Sequence, residues 1–209
     1  MRKGKVLSLK NLRLGDFFSK NNSLLIPVIF VCAGIIAGIF CEGRVRLLSD
    51  YARSFIERFT ALRTGSSFIS ITLDSFMSAE LFLLCVFAAG TSMLGVVLVP
   101  VAAVLRGILY GGVSAFLYSQ YTVKGIAFNA VLIIPSAFVF VIALLLASRE
   151  SVRFSLLIAR MSLPATPAVN LSYDFKNYCG RYLLISLIAL ASALTDAALS
   201  CFFIGGLTL

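Results

Sequence analysis

Glu80, Arg106 and Asp196 are charged side chains that lie within or at the ends of long apolar stretches. A charge in an apolar solvent is costly, so each needs a partner, a polar cavity or a route to an interface. Counted along helices, Glu80 lies about 27 Å from a turn near Leu98, whereas Arg106 lies only about 12 Å from it, so the two are poorly matched in depth. Asp196 lies about 22 Å along the last helix from Arg181, nearer in depth to Glu80 and Lys124. The spacing predicts that Arg106 reaches inward to lipid phosphates. It places Asp196 or Glu80 in an outer polar pocket with Lys124. The plainer alternative is that each charge merely reaches an interface.

No histidine is present, which removes His-based triads, most zinc sites and most haem ligation. No G-x-S-x-G, H-E-x-x-H or phosphate loop occurs. The reading is therefore of a chain with no catalytic residues, no metal and no cofactor. Cys32, Cys41, Cys85, Cys179 and Cys201 are odd in number and form no C-x-x-C. They read as small buried hydrophobes.

Two G-x-x-x-G patterns occur, Gly34 with Gly38 and Gly107 with Gly111. Glycines four apart share one helix face and let backbones approach closely. Packing within the chain is the favoured reading. Contact between subunits, as in a homo-oligomer, is the other.

The elements that carry these residues follow from composition. Between Leu81 and Ser148 only Arg106 and Lys124 are charged. One membrane crossing needs about 20 apolar residues, so this run is long enough for roughly three. Hydrophobic residues make up 60% of the 209 and charged ones 13%, against about 25% charged in an average soluble chain. Barrel strands alternate in segments of about ten residues, which this run does not. The fold class is all-α: a polytopic helical membrane bundle of about five transmembrane helices in one domain, residues 24–209, behind a basic arm, residues 1–23.

The first span covers Leu24 to Cys41. It reads as uncleaved, because no A-x-A-like site follows its long apolar core. Helix 2 is expected from about Phe76 to Val97, with a turn before Pro100, or else at Arg106-Gly107. Helix 3 then runs from about Pro100 to Tyr118, a polar break covers Tyr121 to Gly125, and helix 4 runs from about Leu132 to Ser148. Residues 149–181 read as a basic loop broken by Pro164 and Pro167, and Tyr182 to about Leu207 as helix 5.

Residues 1–23 and 149–181 hold eleven Lys and Arg, against six in 42–75 and Lys124. That bias sets the amino end inside and the carboxyl end outside. The net charge of +9 then belongs to loops facing anionic membrane lipid. Nucleic acid is set aside, since no domain has the length for it. Residues 42–75 become extracytoplasmic. Within them Leu48, Tyr51, Phe55, Phe59 and Leu62 recur at helical spacing and form an apolar face offered to a partner.

Gly90-Thr91-Ser92-Met93-Leu94-Gly95, Pro100 and Leu105-Arg106-Gly107-Ile108-Leu109-Tyr110-Gly111 resemble the central motif of the stage II sporulation protein M family. Lys124-Gly125, Ile134-Pro135, Val152-Arg153-Phe154-Ser155-Leu156, the glycines of the first span and the acidic Asp196 fit the same pattern, from about Leu24 to Ser200. Where the family has P-Q-N, this chain has Pro135-Ser136-Ala137. The resemblance implies a non-catalytic membrane scaffold. It would anchor two partners that remodel peptidoglycan at the septal membrane during engulfment. From the residues alone, a permease subunit driven by a separate ATPase is the alternative, with Glu80, Arg106 and Asp196 lining its path.

Overall fold

The computed structural model describes residues 14–161 and 171–203. Helices make up nearly all of it: α1 (Leu14–Cys41), α2 (Arg46–Arg63), α3 (Phe68–Gly90), α4 (Gly95–Phe128), α5 (Ile134–Met161) and α6 (Leu171–Phe203). A five-residue π segment, Asn129–Ile133, joins α4 to α5. The basic arm lies outside the described residues as far as residue 13, and its remainder is the start of α1.

Among the described residues three helical stretches are long and apolar enough to cross a membrane: Phe68–Gly90, Gly95–Ala159 and Ser172–Phe203. A fourth counts if Leu25–Cys41 and Arg46–Arg63, bent by 101°, form one broken span. The 65-residue stretch would measure about 98 Å if straight, far beyond a hydrocarbon core of about 30 Å. It folds back at Thr122, where φ 46° and ψ −118° interrupt the helix. Beyond that point a Cβ on Gly125 would strike the Leu117 carbonyl, so only glycine allows the two limbs to meet. Counting this stretch twice gives five passes.

Thr122 is the one non-glycine with positive φ among the described residues. A β-branched side chain is strained there by an order of 1–3 kcal/mol. Thr122→Gly removes that strain at an entropic cost of about 0.5–1 kcal/mol. The expected result is a net gain near 1 kcal/mol, read as a higher melting temperature in detergent.

Three boundaries differ from the sequence expectation. The turn before α4 falls at Thr91–Leu94 rather than at Pro100 or Arg106-Gly107, and Pro100 sits inside α4. The turn is pinned from α5: Ser155 Oγ donates to the Ser92 carbonyl at 2.7 Å and accepts from Val96 N–H at 3.1 Å. Secondly, α3 begins at Phe68, where Ser67 Oγ caps it by accepting from Ser70 N–H. Finally, most of residues 149–181 is helical. There α5 and α6 extend side by side, held by stacked Phe154 and Tyr178 rings 4.5 Å apart and by an Arg181–Glu150 ion pair. Pro164 and Pro167 lie outside the described residues.

Two buried clusters carry the bundle. Leu83, Val86, Val99, Ala103, Phe140, Leu144 and Ala189 join α3, α4, α5 and α6. Ala52, Ile56 and Phe59 of α2 pack with Val113, Phe116, Leu117, Phe128 and Leu132. Thus α2 lies on one end of the bundle, over the α4–α5 reversal. The cysteine expectation is corrected here: Cys32, Cys85 and Cys201 are exposed and Cys41 and Cys179 half-buried, all as free thiols. A small apolar side chain is equally at home on a face that meets lipid.

Candidate functional site

The apolar row of α2 does not stop at Phe59. Its next member on the same face, one helical turn on, is Arg63, and the chain buries it: 5% of the side chain is exposed. This is an expensive place for a guanidinium unless every donor is used. Nε donates to Ser200 Oγ at 3.0 Å, Nη1 to the Phe59 carbonyl at 3.2 Å, and Nη2 to Ser75 Oγ at 3.2 Å. Nη2 also pairs with Asp196 Oδ2. The guanidinium carbon lies 3.4 Å from the Phe59 ring centroid, a cation–π contact. Ser75 donates to the same Asp196 oxygen. Arg63, Ser75 and Asp196 therefore tie α2, α3 and α6 together.

Under this tie lies a cavity of about 400 Å³ between α2, α3, α4, α5 and α6. Its polar lining includes Arg58, Arg63, Asp74, Arg106 and Asp196, and aromatic rings of Phe55, Tyr110 and Phe140 share the wall. At the rim Arg58 and Asp74 stand 3.5 Å apart and well exposed, a pair of little energetic weight.

The expected charges fall apart into separate environments. Asp196 is buried in the cavity wall, but its cation is Arg63 and not Lys124, which is exposed and outside the lining. Glu80 is also outside the lining and accepts from Ser186 Oγ of α6 at 2.9 Å. Arg106 does not reach toward the Gly95 end of α4. Its guanidinium lies among Phe82, Tyr110 and Phe140, 4.8–5.2 Å from their centroids. One long bond, 3.4 Å, runs from Nη2 to Tyr110 Oη, one turn nearer to α2.

The glycines meet one another. A Cβ at Gly34 would strike the Val104 carbonyl and approach the Gly107 Cα, and one at Gly107 would strike the Val31 carbonyl. Gly38 lies likewise against Ile108 and Gly112, and Gly111 against Ile35. The matched order shows that α1 and α4 run parallel at backbone contact.

The apolar face of α2 is also corrected. Leu48 and Phe59 are buried within the chain, Phe55 and Leu62 are half-buried, and of the five Tyr51 alone is exposed, to 40%. Leu48 is seated over Gly112, where a Cβ would lie 2.9 Å from its side chain. What α2 turns outward is its charged side: Arg46, Asp50, Arg53 and Glu57.

Chemically this is a fastening. Ser75 has no base beside it except a carboxylate oxygen that Arg63 already binds. Among the described residues no group of His, Cys, Asp and Glu is placed to hold a metal ion.

The family model described as stage II sporulation protein M matches residues 26–205. No curated protein and no solved structure matches the chain.

Proposed function

The chain belongs to the stage II sporulation protein M family, a membership that makes it a sporulation-related membrane protein, and on that premise we propose that it is a non-catalytic scaffold. It anchors peptidoglycan hydrolases at the septal or engulfing membrane. Its amino end is inside, as the Lys and Arg bias directs, and α2 is on the outer face.

The observation that carries this reading is the fastening of α2. A short amphipathic helix with a buried ion pair at its end is held as a rigid platform, and its outward row of Arg46, Asp50, Arg53 and Glu57 is free for a partner. Charge complementarity on such a surface selects a partner and sets its register. A permease path is less well served by the same geometry, because Glu80 is tied to Ser186 and stands outside the cavity that Arg106 and Asp196 line.

The test is deletion of the gene in the sporulating host, with a fluorescent hydrolase followed by microscopy. The reading expects the hydrolase to disperse from the septal membrane. Normal hydrolase placement in the deletion strain contradicts it.

A further inference from the structure

Among the described residues, two that line one cavity each carry a buried polar atom without a partner. Arg106 Nε makes no hydrogen bond, and neither does Asp196 Oδ1, although Oδ2 of the same carboxylate is bound twice. Both residues line the cavity beneath α2. The first atom is a donor on a cation and the second an acceptor.

The charges of the lining make the deficit specific. Arg58 is paired with Asp74 and Arg63 with Asp196, which leaves Arg106 as the cation of the wall without an ion pair among the described residues. Its surroundings are three aromatic rings. Such contacts recover less than an isolated charge costs in an apolar medium. An anion at Arg106 closes the gap.

We propose that this cavity binds the head of an anionic phospholipid. The phosphate pairs with Arg106, and a hydroxyl or ammonium of the same head donates to Asp196 Oδ1. The wall suits this ligand, since Phe55, Ile133 and Phe140 offer apolar surface beside the polar groups. Free phosphate presents the same anion to Arg106 but carries no acyl chains to cover those side chains. The ligand would cement α2 to α4 and α6, and the assignment stands independently of what α2 meets outside.

The experiment uses the full-length protein purified in mild detergent. Intact-complex mass spectrometry measures retained lipid. Thermal shift is then read with short-chain phosphatidylglycerol, short-chain phosphatidylcholine and inorganic phosphate. The expected result is retained anionic phospholipid and a melting shift with phosphatidylglycerol alone, weakened at least about tenfold in apparent affinity by Arg106→Gln. Lys176→Gln, exposed at the far end of α6, keeps the wild-type response. Should Arg106→Gln fail to fold, the lipid preference of the wild-type protein decides. Equal binding of phosphatidylglycerol and phosphatidylcholine overturns the proposal, as does an unchanged affinity in Arg106→Gln. Protection by inorganic phosphate as strong as that by phosphatidylglycerol assigns the site to soluble anions and overturns the lipid.

Discussion

Arg63→Ala is expected to cost about 3–5 kcal/mol, because it leaves Asp196 as a buried carboxylate without its cation. Only 7% of the Asp196 side chain is exposed, so the carboxylate left behind is poorly hydrated. The same substitution strands Ser200 Oγ, which accepts from Arg63 Nε. A loss of this size rivals the whole net stability of many domains, about 5–15 kcal/mol. The mutant should lose its single sharp peak in detergent size-exclusion chromatography, or melt far below the wild type. Asp196→Leu alone should do comparable harm, by leaving Arg63 buried and unpaired. The double mutant Arg63→Met, Asp196→Leu should recover most of the stability, since it removes both charges at once. A double mutant no better than either single one would mean that the ion pair is not what holds α2.

The second large effect is on the glycine seam. Gly34→Ala, Gly38→Ala, Gly107→Ala and Gly111→Ala each push a methyl group into the backbone of the facing helix. Backbone cannot step aside as a flexible side chain can, so each should cost about 1–3 kcal/mol. Gly107→Leu, with more to place, should prevent α1 from docking on α4. The control lies in the same chain. At Gly180, exposed in α6, a Cβ meets nothing within 4 Å, and Gly180→Ala should stabilise by about 0.5–1 kcal/mol through helix propensity. Melting temperatures in detergent separate the two groups. Seam variants as stable as Gly180→Ala would mean that α1 and α4 do not meet at these glycines.

The apolar run made the class of fold legible, because lipid leaves so few ways to satisfy a backbone. The reversal near Lys124 was legible too, as a short polar break between apolar stretches. The turn at Thr91–Leu94 was not. Proline is the louder local signal, whereas the true turn depends on Ser155, 59 to 63 residues away in sequence. Asp196 stood out as a charge among apolar residues, but its partner lies 133 residues back in a segment rich in charge. The signal that could have found Arg63 was periodic: it continues the row Leu48, Ala52, Ile56 and Phe59 that the chain buries. The same row, taken alone, suggested a surface for a partner, because a sequence does not show that α4 provides the opposing face. The cavity had no local signature, for five separate helices line it.

The outward face of α2 is where the scaffold reading can be tested most directly. A photo-crosslinking residue placed at Arg53 or Glu57, both exposed, reports what that face meets in intact sporulating cells. The account predicts a covalent adduct with a peptidoglycan hydrolase from these positions and none from Lys176 at the opposite end. Absence of a hydrolase adduct from Arg53 and Glu57, or an equal yield from Lys176, would contradict it.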